Sequence, residues 1–316
     1  MLTYLTRRVV ASVLVVVVVS FLIFLCLYLA PGSPEQAILG PMSATPATLA
    51  EVRLKFGLND PMLVQYWRFL RGIFTLNLGE SYQSGQTVAQ GIASRAAVTV
   101  PLAIGGFVVA TVLGVWGGVV SAHHRGGLLD RVVGSVSIAA ASTPAYAAGV
   151  VLLLVFGVEL GWLPVSGDGS GLGGRAAHLV LPVITLGLVG AATVIRRTRV
   201  AMVSALERDD VAFARARGVP RREILLRYTL RHSAVIILTS ASVVLIYMLA
   251  ATAVVESVFG LNGVGLYLIA AINNKDLPAV QGVAVVITIL VIVINLVTDL
   301  LYALIDPRIQ RGAAAL

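Results

Sequence analysis

The chain has 316 residues, of which 58% are hydrophobic and 12% charged, and its formal net charge is +8 at pH 7. Soluble globular proteins carry about 25% charged and about 45–50% apolar residues, so this composition excludes an ordinary soluble enzyme and a disordered protein. The single cysteine, Cys26, excludes a domain held together by intrachain disulfides. We therefore predict an integral membrane protein that crosses the bilayer several times.

Long apolar stretches predict where the chain crosses the membrane. A helix needs about 20 apolar residues to span a hydrocarbon core about 30 Å thick. The first stretch is too long for the apolar region of a cleaved signal peptide, so we expect it to be a span. The predicted fold is an all-α integral membrane protein with six transmembrane helices, at residues 9–30, 98–122, 132–158, 179–195, 233–255 and 277–305.

The basic residues predict the orientation of these spans. Sixteen of the 23 lysines and arginines lie in four segments, namely 1–8, 122–131, 196–232 and 306–316. The other seven lie in the connections at 31–97, 159–178 and 256–276. Basic loops favour the cytoplasmic side, so we expect both termini in the cytoplasm and the three less basic connections outside. The positive charge then indicates membrane lipid or a protein partner, and not nucleic acid.

Two of the three predicted external connections differ in character. Segment 31–97 predicts amphipathic helices at the membrane surface, one capped by Thr48 and one starting at Asp60-Pro61. Segment 159–178 contains a Gly-x-Gly-x-x-Gly pattern at Gly169–Gly174. A dinucleotide site would need a strand before this pattern and a helix after it, and we expect neither, so we interpret it as a flexible connection.

Segment 196–232 is predicted to form a helical elbow in the cytoplasm. Residues 201–217 are rich in helix-forming residues, Gly218 suits a left-handed helix end, and Pro220 can open a second helix. Glu223 and Arg227 form a favourable pair one turn apart. The segment holds ten arginines and four acids. It could cap the bundle or hold anionic lipid, but this excess of arginine favours a protein partner with an acidic or grooved surface.

Side chains that carry chemistry are scarce. Neither lysine follows a glycine as in a phosphate-binding loop, His123-His124 lacks further metal ligands, and no nucleophile–base set is evident, so we expect no catalytic residue, cofactor or metal. Asp299 lies in the last span and is expected to pair with an arginine. Milder polar residues in the spans are either interhelical hydrogen-bonding groups or the lining of a path. They are Thr185, Thr193, Ser240, Ser242, Thr252 and Asn295.

Several stretches resemble one family of membrane proteins. The elbow is similar to the Glu-Ala-Ala-x3-Gly loop of ABC importer permeases. Its Ala-Arg-Ala-Arg-Gly-Val at 214–219 and Leu-Arg-Tyr-Thr-Leu-Arg at 226–231 resemble the peptide-importer form. Alignment on Gly218 places Ala212 and Phe213 where the family has glutamate and alanine. Similar agreement is found at residues 30–34, 77–81, 161–167, 255–259, 276–282 and 299–308. The chain thus resembles the first permease subunit of dipeptide/oligopeptide ABC importers.

This resemblance implies a type I permease bundle that works by alternating access with several partners. It pairs with a homologous second permease, two cytoplasmic ABC ATPases that hold the ATP and Mg²⁺, and an external substrate-binding protein that docks in part on segment 31–97. Ala212, Phe213 and Ala214 occupy motif positions beside Gly218. The candidate elbow contacts to the ATPase are Arg215, Arg217, Arg227 and Arg231.

Alternative functions remain open from the sequence. Within the same family, the substrate could be a nickel chelate, glutathione or haem. An ion-coupled secondary transporter would show inverted repeats, broken helices and ionisable groups near the midplane, and it would leave the elbow unexplained. An intramembrane enzyme would require a nucleophile and a base.

Overall fold

A computed structural model of the protein describes residues 2–29 and 45–305, and this part of the chain is helical without any β-strand. The motif at 30–34, the C-terminal segment 306–316 and part of segment 31–97 lie outside the described residues. The helices are α1 Leu2–Tyr28, α2 Pro46–Phe56, α3 Met62–Phe74, α4 Val88–His123, α5 Leu128–Ser142, α6 Ala145–Leu152, α7 Gly171–Leu206, α8 Asp209–Ala216, α9 Arg221–Glu223, α10 Leu230–Phe259, α11 Val264–Asn273 and α12 Leu277–Ile305. Two π-helical segments, Leu153–Glu159 and Ile224–Thr229, follow α6 and α9.

Four helical stretches among the described residues are long and apolar enough to cross a membrane. They are Val88–His123, Gly171–Leu206, Arg221–Phe259 and Leu277–Tyr302. Most extend beyond the predicted spans, because helical structure continues into the polar flanks where hydropathy has already fallen. The apolar part of α1, Val10–Cys26, is shorter than these. The number of six spans therefore stays a prediction.

The third predicted span, residues 132–158, is divided into two helices. Helices α5 and α6, the latter with its π-helical extension, meet at an angle of 105°. The backbone nitrogen of Thr143 donates to Ala139 at 3.1 Å and closes α5, and Pro144 precedes α6. Proline has no N–H to donate and keeps the residue before it out of the helical region, so the chain must turn here. The sequence predicts one uninterrupted helix over 132–158, and the structure divides it.

The described residues form two units, and the first comprises parts of residues 1–97 together with Gly263–Val293. Here Tyr66 of α3 packs between Phe21 and Phe24 of α1, and its hydroxyl donates to the carbonyl of Val17 at 3.0 Å. Arg95 of α4 lies over the ring of Tyr267 of α11, 4.4 Å from its centroid. The predicted aromatic helix therefore exists and packs on α1.

The hydrogen bonds at the starts of α2 and α3 differ from our prediction. Thr45 caps α2, and its side chain exchanges hydrogen bonds with Thr48, which is the third helical residue and not the cap. Asp60 does not cap α3, since Pro61 takes that position and the Asp60 carboxylate pairs with Arg68. Both helices begin close to the expected place, but Thr45 caps α2 and no side chain in the described part of the chain caps α3.

The second unit comprises Val98–Asn262 and the residues from Ile294 onward, and its core lies between α4, α7 and α10. Small residues recur every fourth position on α4, at Gly106, Ala110, Gly114 and Gly118. A Cβ on Gly114 would lie 2.4 Å from the Cβ of Val194 on α7, so only glycine permits this approach. Close packing thus depends on a stripe of small residues.

Candidate coupling elbow and adjoining groove

The elbow predicted for residues 196–232 begins inside a long helix. Helix α7 continues to Leu206, and α8 starts at Asp209, so the single helix predicted at 201–217 is interrupted. Arg208 adopts an extended conformation at this break. Asp209 and Asp210 occupy the first turn of α8, where the helix dipole favours negative charge. The two acids favour a new helix start at this point, although the residues on either side are good helix formers. The helix is therefore interrupted at Arg208.

Asp210 links the start of α8 to the start of α10. Its carboxylate accepts from Arg208 Nε at 3.0 Å and lies 2.9 Å from Nε2 of His232. Desolvation alone would raise the pKa of Asp210, but the hydrogen bonds from His232 and Arg208 outweigh it and lower the pKa below its ordinary value. Asp210 is therefore charged at neutral pH and joins the two ends of the elbow.

Gly218 makes the turn between the two arms of the elbow. Its φ is +77°, as predicted, and no heavy atom lies within 4 Å of the position that a Cβ would occupy. The turn closes through hydrogen bonds from Gly218 N to Arg215 O at 3.1 Å and from Val219 N to Ala214 O at 3.2 Å. Glycine is needed here for its backbone conformation and not for space.

The predicted coupling residues divide into buried and exposed sets. Ala214 is only 4% exposed and packs inward, like Val211, Ile224 and Thr229. Phe213 is 66% exposed, and Arg217 lies over its ring, 5.8 Å from the centroid. Arg227 pairs with Glu223 at 2.8 Å, as predicted. The outward-facing members of the predicted set are Ala212, Phe213, Arg215, Arg217, Gly218, Arg227 and Arg231.

An ion pair that the sequence did not reveal, between half-buried Arg199 and buried Asp130, anchors α7 about two turns before its end. Arg199 donates from Nε and Nη2 to the two carboxylate oxygens of Asp130, at 2.6 and 2.7 Å. Ser121 Oγ, at 2.5 Å, and the backbone of Gly126, at 2.9 Å, also donate to this carboxylate. Asp130 is 8% exposed. The one sequence signal was a lone acid in the first turn of a helix within a basic loop.

A groove with a volume of about 610 Å³ runs along α7 beside the elbow and reaches the first turns of α10. Two arginines and two hydroxyl residues alternate in it with apolar side chains. The lining residues are Thr193, Arg196, Arg197, Val200, Ala201, Ser204 and Ile236. The groove therefore combines positive charge with an apolar wall.

The six candidate path residues fall into different surroundings. Four are buried and donate to carbonyls of their own helices: Thr185 to Leu181, Ser240 to Ile236, Ser242 to Leu238 and Thr252 to Leu249, at 2.7 to 2.9 Å. Ser242 also contacts Thr298 at 2.7 Å. These four side chains are therefore enclosed where helices pack together, and they do not line an open path. Thr193 lines the groove and Asn295 is exposed, so only these two face open space.

At the end of the second unit that lies away from the elbow, polar side chains join the helices and the connection between them. Glu256, predicted in the external segment 256–276, lies within α10, is fully buried and accepts from Thr99 Oγ1 at 2.6 Å. In the glycine-rich connection, His178 lies 2.6 Å from the carbonyl of Gly167, and Asp168 accepts from Asn262 N at 2.8 Å. A helix does begin at Gly171, contrary to our expectation, but no strand precedes the Gly-x-Gly-x-x-Gly pattern among the described residues.

Comparison with known proteins identifies the family. The profile described as binding-protein-dependent transport system inner membrane component matches residues 114–311, and its N-terminal companion matches residues 1–103. The chain belongs to this family. It is the permease subunit of an ABC importer with a type I fold.

Two curated relatives cover nearly the whole permease. It is 36% identical to a protein named "Probable peptide ABC transporter permease protein y4tP" from Sinorhizobium fredii, over 97% of this chain and 99% of the relative. It is 35% identical to the glutathione transport system permease protein GsiC of Escherichia coli, over 98% and 99%. The peptide-type permease family expected from the elbow and the other motifs is thereby confirmed.

A solved structure supports the fold. An inward-facing structure of the MetNI methionine ABC transporter matches with a TM-score of 0.56 and 19% identity, covering 68% of this chain and 95% of the matched chain. A second crystal form of MetNI matches equally well. Family membership implies a multi-pass protein of the inner membrane that acts with a partner permease and ATPase subunits.

Proposed function

We propose that this permease carries di- and oligopeptides, forming half of a translocation path with a homologous second permease. The observation that supports this most directly is the 36% identity, over nearly the full length of both chains, to a relative named as a peptide permease. The peptide-importer form of the elbow at residues 214–219 and 226–231 adds support from a second part of the chain.

Glutathione is a second candidate substrate, because the relative at 35% identity is named as a glutathione permease. Glutathione is itself a tripeptide with free carboxylates, so both candidates share the chemistry of a short peptide. The other same-family alternatives, nickel chelates and haem, have no counterpart in the relatives compared above.

We further propose that the elbow couples this chain to an ATPase. Phe213 offers an exposed aromatic side chain with Arg217 over its ring, and aromatic and arginine side chains are those that most often dominate protein interfaces. Gly218 sets the angle between α8 and α9, so movement of the ATPase would be transmitted through the turn to α10. Hydrolysis itself would take place in two ATPase subunits that hold ATP and Mg²⁺.

The proposed orientation places the elbow and both termini in the cytoplasm, and an external binding protein would deliver substrate on the other side. Single cysteines introduced in a Cys26→Ser background test this. Ser170→Cys should react with a membrane-impermeant maleimide in intact spheroplasts, whereas Arg221→Cys should react only after permeabilisation. The reverse pattern would contradict the orientation.

Reconstituted transport tests the proposed substrate. The two permeases, two ATPases and the binding protein would be placed in proteoliposomes, and uptake of labelled dipeptides, longer peptides and glutathione measured with ATP. We expect uptake of peptides that requires ATP. Uptake driven by an ion gradient without the ATPases, or uptake of glutathione alone, would contradict the peptide proposal.

A further inference from the structure

The groove beside the elbow has the composition of a site for a small anion. Neither Arg196 nor Arg197 makes an ion pair with any described residue, whereas Arg199, on the same helix, is engaged by Asp130. No acidic side chain is among the residues that line the groove. Two guanidinium groups that form no ion pair within the described part of the chain therefore face this space.

We propose that this groove binds the carboxylate of the transported peptide as it leaves the path on the cytoplasmic side. This inference rests on the proposed peptide substrate and deepens it by naming the group that is recognised. Guanidinium groups form paired, charge-assisted hydrogen bonds with carboxylates. Thr193 and Ser204 add hydroxyl donors at either end of the basic pair.

The size and walls of the groove suit a short peptide. Its volume, about 610 Å³, lies within the range of about 300–1,000 Å³ that is typical of small-molecule sites. Val200 and Ile236 supply apolar surface beside the two arginines, so a side chain of the peptide can pack while its carboxylate is bound. Thr193, one of the two candidate path residues that face open space, connects the groove with the membrane-spanning part of α7.

A lipid phosphate is the other source of the same anionic chemistry, so the experiment must separate the two. The probe is the rate at which a cysteine at Val200, which is 61% exposed, reacts with methanethiosulfonate reagents. The variant Val200→Cys is made in a Cys26→Ser background. The complete nucleotide-free transporter is placed in nanodiscs of phosphatidylcholine, without the binding protein, and labelling is followed on this chain by mass spectrometry.

Local positive charge should favour the anionic reagent. We expect the ratio of anionic to cationic labelling rates to fall at least about tenfold when Arg196→Gln and Arg197→Gln are added, because a charged cleft concentrates counter-ions. Leu172→Cys, 90% exposed at the other end of α7, is the matched control and should keep its ratio. An unchanged ratio at residue 200 would overturn the proposal.

Protection of the cysteine at residue 200 from labelling shows which ligand the groove binds. A tripeptide with a free carboxyl terminus should slow labelling of Val200→Cys at least about fivefold, and its C-terminal amide should not, since the amide cannot form the charged pair. Equal protection by both peptides, or by neither, would overturn the proposal. So would protection that occurs only when phosphatidylglycerol replaces phosphatidylcholine, because this would assign the groove to lipid. If peptides are transported but do not protect, only this inference fails, whereas absence of peptide uptake contradicts the proposed function.

Discussion

Arg199 and Asp130 form a bidentate ion pair that joins α7 to the start of α5, with nitrogen–oxygen distances of 2.6 and 2.7 Å. Because Ser121 and Gly126 also donate to Asp130, the end of α4, the following turn, α5 and α7 converge on one carboxylate. The elbow follows directly on α7. This pair therefore holds α7 against the start of α5 shortly before α7 ends.

Replacing Asp130 should destabilise the protein measurably. In Asp130→Ala, Arg199, Ser121 and the backbone of Gly126 lose their hydrogen-bond acceptor. We expect the free energy of unfolding to fall by about 2 kcal/mol. The measurement is the thermal inactivation half-life of the purified transporter. Arg125→Gln is the matched control. Both side chains of the Arg125–Glu207 ion pair, 2.5 Å apart, are exposed, so this pair should contribute less than about 1 kcal/mol to the free energy of unfolding. Equal half-lives for the two variants would show that the stability of the protein does not depend on the Arg199–Asp130 pair.

Gly218→Val should impair the elbow without preventing insertion. The left-handed backbone costs a residue with a Cβ about 1–2 kcal/mol, and β-branching makes this position still less favourable. We expect ATP hydrolysis to continue while transport falls, and Gly218→Asn to retain more transport because asparagine tolerates positive φ. The ratio of transport to hydrolysis in proteoliposomes is the readout. A normal ratio in the valine variant would contradict the role given to this turn.

Gly114→Val should disrupt the packing of α4 on α7. A Cβ at Gly114 would lie 2.4 Å from the Val194 Cβ, and inserting extra methyl groups into packed sites typically costs about 1–3 kcal/mol. Gly134→Val is the control, because nothing lies within 4 Å of a Cβ at that helical position. Thermal unfolding in detergent should separate the two variants clearly. Similar melting would mean that α4 and α7 can move apart at little cost.

Phe213→Ala should weaken association with the ATPase subunits if the elbow is the docking element. Removing an exposed aromatic anchor from an interface commonly costs about 2 kcal/mol, which corresponds to roughly thirtyfold in affinity. Because Phe213 is 66% exposed, the stability of the permease itself should not change. Leu172→Ala, at the far end of α7, is the control. Binding of the ATPase to permease in nanodiscs gives the affinity, and equal values for both variants would contradict the prediction.

Much of the fold could be predicted because its causes are local. Hydropathy located the apolar centres of the spans, since the bilayer selects against charge whatever the neighbouring helices are. Gly218 and the Glu223–Arg227 pair depend only on residues within one or two helical turns. The bend between α5 and α6 had a local cause too, and the Thr143-Pro144 step could have revealed it.

Apart from that bend, the features that escaped prediction depend on residues far apart in the chain. Arg199 and Asp130 are separated by 69 positions, and no periodicity relates them. Ala214 belongs to the same motif as Phe213, yet one is buried and the other exposed, because only the packing of α8 decides which face turns inward. The contact between Asp210 and His232, 22 positions apart on different helices, likewise could not be predicted.

The sequence by itself determined that this is a membrane protein, and it placed the largest group of arginines, ten of the 23 basic residues, in one segment, 196–232. Hydropathy and arginine content are properties of short segments, so both could be read without the fold. Family membership followed from the same motifs. The tertiary structure decided which polar residues serve packing and which face open space. Thr185 and Thr193 lie on one helix and are indistinguishable by composition, but Thr185 is enclosed by neighbouring helices while Thr193 borders the arginine groove. That difference arises from where other helices lie, which only the folded chain specifies.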